Sequence, residues 1–122
     1  ITSDCPLLDP EVCGELLELR ERADAGFASN SWPERSYPIG YDCEVFTREV
    51  LEGALVASKK DPDWRSDDSE HAGCGWMQRH RYIKKALLKA ADDRSHLRWT
   101  LDTKDDFVTI WNVMEQQMWE AA

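Results

Sequence analysis

Asp9-Pro10-Glu11-Val12-Cys13-Gly14-Glu15-Leu16-Leu17-Glu18-Leu19-Arg20, running on to Gly26-Phe27-Ala28-Ser29, is the stretch on which the fold turns. Asp9 is suited to cap a helix, Pro10 fits a first turn that needs no N–H, and Glu11 faces the positive helix end. Val12, Leu16 and Leu19 then recur at helical spacing until Gly26 offers a stop. Phe27-Ala28-Ser29 follows as a short apolar run and predicts a brief strand. Helix followed directly by strand is the unit from which layered α/β proteins are built.

Working outward, the same alternation continues. Residues 31–40 carry two prolines and a glycine, which prevents a continuous helix and predicts a shaped loop. Tyr41 to Phe46 reads as a strand, whose period of two sends Asp42 and Glu44 to one face and Tyr41, Cys43 and Val45 to the other. Thr47 can cap a helix to about Ser58, with Val50, Leu51, Ala54 and Leu55 as its apolar stripe. Lys59 to Ser69 reads as a polar loop, and a third helix is predicted from about Ser69 to His80. Ile83 to Ala90 and Leu97 to Leu101 read as strands, antiparallel neighbours if Asp92-Asp93-Arg94-Ser95 closes a hairpin. Thr103 through Asp106 has the form of a cap, and Phe107, Ile110, Trp111, Met114 and Met118 mark a last helix whose stripe, Trp111 included, is expected to pack inward.

Composition limits the function. The 122 residues, 42% apolar and 32% charged, suit one soluble globular domain. A formal charge of -9 argues against nonspecific nucleic-acid binding, which needs clustered Lys and Arg. No segment is long and apolar enough to suggest a membrane span. Cys5, Cys13, Cys43 and Cys74 contain no C-x-x-C pair, so reduced thiols and a cytoplasmic location are expected, and His71 with Cys74 and His80 make only a weak metal motif. The chain opens on Ile1 rather than Met, and an upstream portion is expected to precede it.

In open α/β sheets ligands collect beyond the carboxyl ends of strands. Asp4 and Asp102 each follow a short strand-like run there, and two such carboxylates can hold Mg²⁺. They can equally serve a turn with Pro6 and a helix cap. Asp42 and Glu44 are a solvated acidic face or ligand groups. Trp32 and Trp64, in loops, are candidates for contacting a ligand or partner.

Four segments, in order, resemble the spore-coat polysaccharide type of cytidylyltransferase. They are Thr2-Ser3-Asp4-Cys5-Pro6-Leu7-Leu8-Asp9-Pro10, Tyr37-Pro38-Ile39-Gly40-Tyr41-Asp42-Cys43-Glu44-Val45-Phe46, the pairs Glu70-His71 and Arg79-His80, and Ser95-His96-Leu97-Arg98-Trp99-Thr100-Leu101-Asp102-Thr103. The resemblance covers nearly the whole chain as one domain, the C-terminal portion of a cytidylyltransferase-like domain. It implies an incomplete open nucleotidyltransferase (Rossmann-like) sheet with flanking helices, lacking the N-terminal nucleotide-binding half. It further implies Mg²⁺ at Asp4 and Asp102, and a substrate site bordered by Tyr37, Gly40, Asp42, Glu44, Glu70, His71, Arg79 and His80. The parent enzyme would transfer a cytidylyl group from CTP to a sugar.

The chain departs from the family pattern in two places and lacks one element. Ala72-Gly73-Cys74-Gly75 stands where the family tends to carry a Thr-Pro element, and Lys104 replaces a proline. No Gly- and Arg-rich phosphate loop occurs in these residues, so no turnover is expected from them alone. A nucleotide-sugar glycosyltransferase using Asp61-Pro62-Asp63, and a noncatalytic self-associating module, are the competing readings. A homodimer is expected in either case.

Overall fold

The computed structural model describes residues 2–66, 68 and 71–120, with the side chains of all of these except 119 and 120. Helix α1 spans Pro10–Arg22, and the Asp9 carboxylate accepts the Glu11 N–H at 2.8 Å at its start. It ends earlier than Gly26. Asp24 takes the left-handed turn (φ 48°), while the N–H groups of Ala23 and Ala25 bond back to Leu19 and Arg20. Gly26 is instead a point of close packing, since a Cβ there would sit 2.9 Å from Val50 Cγ2.

Strand β1 spans Phe27–Ser29, as expected, and is fully buried. β2 is confined to Glu44–Phe46, the second half of the expected strand, and pairs antiparallel with β1 so that Ser29 faces Glu44. Helix α2 spans Arg48–Lys60 behind a Thr47 cap that accepts the Val50 N–H. Ala54 and Ala57 are its buried residues, whereas Leu51 and Leu55, expected on the inner stripe, are exposed. Helix α3 is Cys74–Arg79. Gly73 stands at its N-cap with φ 81°, a turn that a Cβ would oppose, so this glycine begins the helix rather than weakening its interior.

The expected hairpin between residues 83–90 and 97–101 does not form. β3 is Lys85–Leu87 and pairs parallel with β1, giving the sheet order β2-β1-β3. The turn after it docks elsewhere: the Ala90 N–H donates to Ser36 Oγ at 2.9 Å and the Arg94 N–H to the Ser36 carbonyl at 2.8 Å. Residues 97–99 then run beside the 39–41 turn, with Ile39 and Arg98 bridged in parallel and bonds of 2.9 and 2.7 Å on either side. One parallel and one antiparallel pair make a small mixed sheet, with β2 as its antiparallel edge.

Alternation along β1 divides the core. Phe27 packs with Ala54, Ala57, Cys74, Trp76 and Met77 on the face covered by α2 and α3, with Trp32 and Trp64 against that cluster. Ala28 packs on the other face with Leu16 and Cys43 under α1. Helix α4, Lys104–Glu120, starts with the expected cap, the Thr103 hydroxyl accepting the Asp106 N–H at 3.2 Å and Asp106 accepting the Thr103 N–H at 2.9 Å. Its apolar stripe departs from expectation. Ile110 is buried, but Phe107, Trp111, Met114 and Met118 face outward. Among the described residues no helix is long and apolar enough to cross a membrane.

Candidate functional site

The carboxyl end of β1 opens onto a polar cleft of about 280 Å³ lined by Thr2, Ser31, Asp42, Glu44, His71, Cys74, Gly75 and Gln78. Local hydrogen bonds fix its walls. Ser29 Oγ accepts the N–H groups of Ser31 and Trp32 at 3.1 and 3.2 Å, which turns Ser31 toward the cleft. The fully buried Asn30 clamps the opposite wall, donating to the Tyr41 carbonyl at 2.5 Å and accepting the Cys43 N–H at 2.9 Å. Asp42 between those two residues is thereby held in place and is gripped by both guanidinium nitrogens of Arg35. Glu44 accepts from Gln78 at 3.1 Å, and burial with the nearby Glu44 charge pushes the Cys74 thiol well above its usual range.

Asp4 stands beside this cleft. Its Oδ2 accepts the Thr100 hydroxyl at 3.1 Å, and its carbonyl accepts the Leu101 N–H at 2.8 Å. The Thr2 hydroxyl, then the Thr100 hydroxyl and His71, outweigh partial burial and hold the Asp4 carboxyl below its ordinary value. Asp102 directly follows Leu101, so the two segments adjoin; its half-exposed carboxylate accepts from Arg98 at 2.7 Å. No group of three or more His, Cys, Asp or Glu side chains is gathered among the described residues. For the expected pair Asp4 and Asp102 to hold Mg²⁺ together, Asp102 would have to leave Arg98.

The remaining candidates separate. Asp42, Glu44 and His71 share the cleft, and Glu70 lies outside the described residues. Tyr37 lines a different hollow of about 360 Å³ with Asp9, Tyr41, Arg94 and Trp99. Gly40 is a buried turn with φ 98°, pressed on the backbone of Trp99 and Thr100. Arg79 and His80 line a third hollow of about 420 Å³ with Asp61, Trp64 and Trp76, and Arg79 is bound at 2.6 Å to the fully buried Asp68. Asp61 has both carboxylate oxygens occupied, by the Asp63 N–H and by Trp76 Nε1, each at 2.8 Å. Ser31 and Gln78 join the cleft without any motif to announce them. Asn30, directly after a strand, was the available signal for a positioning residue.

No protein-family model matches the sequence, and no curated protein matches it. Among solved structures, a cytidylyltransferase from Leptospira borgpetersenii serovar Hardjo-bovis (strain JB197) matches with a TM-score of 0.73. The fold shared with that enzyme is a mixed α/β one, an open three-stranded sheet with flanking helices. Identity is 21% and the match covers 96% of this chain, so the likeness is one of fold along nearly its whole length. It covers 55% of the solved chain, and the present chain therefore spans about half the length of that enzyme.

Proposed function

We propose that these residues form the acceptor-sugar side of a cytidylyltransferase of the spore-coat polysaccharide type, working in the cytoplasm on CTP and a sugar and inactive without a phosphate-cradling loop. The observation that carries this reading is the closure of Asp4 on Thr100 and Leu101 beside a cleft walled by Asp42, Glu44 and His71. Carboxylates, hydroxyls and an amide around a small polar space are suited to the hydroxyl or amino groups of a monosaccharide. In the reaction a sugar hydroxyl oxygen bonds to the α-phosphorus of CTP and gives up its proton to solvent, the bond to the β-phosphate oxygen breaks, and pyrophosphate departs with that bond's electron pair.

Such a reaction depends on positioning and charge neutralisation rather than on a covalent enzyme intermediate. Bound Mg²⁺, held by Asp4 and Asp102, would neutralise phosphate charge. The chain's own part is to orient the acceptor: Asp42, fixed by Arg35 and Asn30, and Glu44, fixed by Gln78, present oxygens whose directions are set before a ligand arrives. The glycosyltransferase reading has less support, because Asp61 of Asp61-Pro62-Asp63 is already used to anchor Trp76. A homodimer belongs to the proposal.

The test has two arms. With CTP, Mg²⁺ and a panel of sugars, a longer protein supplying a Gly- and Arg-rich loop releases pyrophosphate, and these 122 residues alone release none. In the short chain, the same sugars shift the NMR amide signals of Ser31, Asp42, Glu44 and Gln78. Turnover by the short chain, or a panel that moves none of those signals, overturns the reading.

A further inference from the structure

The hollow that Tyr37 lines differs from the others in what its polar groups are bonded to. In the cleft, Asp42 is taken by Arg35 and Glu44 by Gln78, and in the third hollow Asp61 is taken by Trp76 and Arg79 by Asp68. The hollow of about 360 Å³ lined by Tyr37, Tyr41, Asp92, Arg94 and Trp99 has no such internal pairing. Among the described residues, the two phenol hydroxyls, the Asp92 carboxylate and the Arg94 guanidinium make no hydrogen bond or ion pair.

The backbone behind these side chains is nevertheless held at many points. Ser36 accepts the Ala90 and Arg94 N–H groups at 2.9 and 2.8 Å, which fixes the turn carrying Asp92 and Arg94. The Trp99 N–H donates to the Ile39 carbonyl at 2.7 Å and the Tyr41 N–H to the Pro38 carbonyl at 3.1 Å. Asp9, also in the lining, has Oδ1 anchored by the Glu11 N–H at 2.8 Å, and its Oδ2 stays uncommitted. The rings of Tyr41 and Trp99 lie 5.3 Å apart at 59°, so two apolar surfaces meet at an open angle. Burial first, and then nearby carboxylates, Asp9 among them, raise both phenols, which therefore keep their protons and can donate.

We propose that this hollow is a second saccharide site, separate from the cleft, that takes one pyranose unit of a neutral glycan. A pyranose presents an apolar C–H face together with hydroxyls that each donate and accept. The rings suit the first, while the phenols and Arg94 donate to the second and Asp9 and Asp92 accept from it. A phosphate would gain Arg94 but meet two carboxylates. A quaternary ammonium would gain the rings and carboxylates but meet Arg94. Groups of both signs on an aromatic corner thus favour an uncharged polyol over either ion. The site stands whether or not the cleft takes an acceptor.

NMR titration of the 122-residue chain with methyl β-D-glucopyranoside, methyl β-D-galactopyranoside and methyl β-D-mannopyranoside tests the assignment. At least one glycoside is expected to move the Tyr37, Arg94 and Trp99 amide signals and the Trp99 indole signal along a saturable curve. Tyr37→Ala is expected to weaken that binding about tenfold, through loss of an aromatic wall. Arg94→Gln, at an exposed side chain that leaves the fold undisturbed, is expected to weaken it as well. Glu44→Gln, in the cleft, leaves it unchanged. Circular dichroism identical to the parent confirms that the variants are folded.

Movement at Ser31, Glu44 and Gln78 alone overturns the second site and leaves the acceptor reading intact, whereas movement at Tyr37, Arg94 and Trp99 alone does the reverse. No movement at either set overturns both. Parent affinity in both Tyr37→Ala and Arg94→Gln overturns the site. Tetramethylammonium chloride or sodium phosphate binding there more tightly than every glycoside overturns the saccharide assignment. A longer protein supplying the Gly- and Arg-rich loop is expected to keep the response; its loss there assigns the hollow to that chain's own remainder and overturns the proposal.

Discussion

Replacing Arg79 with methionine separates a structural role for this residue from a ligand-binding one. Asp68 is fully buried, and its Oδ2 accepts from the Arg79 guanidinium at 2.6 Å and from the Arg65 N–H at 3.0 Å. Burial alone would raise the Asp68 carboxyl, but these two donors prevail and hold it below its ordinary value. Methionine keeps most of the aliphatic volume and removes the charge, leaving a buried carboxylate without its partner. Breaking a buried pair in this way costs about 3–5 kcal/mol. The Arg79 side chain is 32% exposed, so water can reach the vacated position, and the lower end, about 3 kcal/mol, is expected.

Against a domain stability of about 5–15 kcal/mol this is a large fraction. In urea it moves the unfolding midpoint down by roughly 1.5 M if the slope is about 2 kcal/mol/M. Adding Asp68→Asn to Arg79→Met removes the stranded charge and should return at least about 1 kcal/mol, a coupling expected of residues in contact. An Arg79→Met chain within about 0.5 kcal/mol of the parent, or a double variant whose loss equals the sum of the single losses, would refute the reasoning. A stable Arg79→Met chain with impaired sugar binding would return Arg79 to the ligand site.

Gly40→Ala forces a Cβ to 2.5 Å from the Trp99 and Thr100 backbone at a φ of 98°, and neither atom can rotate away. A loss of about 3 kcal/mol or more is expected, read as a fall of roughly 10–20 °C in the thermal midpoint. Because Asp4, Asp61, Asp68 and Asp106 all have folded pKa values below their unfolded ones, their stabilisation is complete above the unfolded value of ~3.9 and is lost as pH falls through the folded values. Thermal stability should thus be flat from pH 8 to about 5 and decline below about pH 4.5, with a shallower decline in Arg79→Met. Burial, with Cys13 beside it, pushes the Cys43 thiol up to about 12, so iodoacetamide at pH 8 should leave Cys43 unmodified in the native chain and alkylate it in urea, as mass spectrometry will read.

Local chemistry was legible where local forces decide the outcome. Asp9, Thr47 and Thr103 announce their helices because a cap hydrogen-bonds within three residues of itself, and each does so here. Phe27-Ala28-Ser29 was legible as a brief strand, and the structure adds that it is fully buried. The pairing of residues 85–87 was not, because the choice between a hairpin and a parallel partner depends on Ser36, more than fifty residues earlier, which captures the turn. The cleft divides in the same way. Asp42 and Glu44 share a wall because Asn30 clamps residues 41 and 43 into line just ahead of β2, whereas Tyr37 and Arg79 follow loop and helix positions that packing against Trp99 and Asp68 determines. Trp111 misled for a related reason: periodicity identifies an apolar face without saying which molecule covers it.

The hydrogen bond from Leu101 to Asp4, with the bridge between Ile39 and Arg98, makes two parts of the chain depend on a segment synthesised well after both. A ribosome delivers residues in order, at about 5–20 per second, so α1 and α2 emerge and can coil while the acidic wall waits for its brace. Until residues 97–101 leave the exit tunnel, the 38–41 turn has only Asn30 and Arg35 to hold it, and the Asp4 segment lacks its bonds to Thr100 and Leu101. A chain interrupted ahead of residue 97 is expected to form α1 and α2 while the cleft beside Asp4 stays unbraced, which limited proteolysis of a truncated chain at the 38–41 turn would reveal.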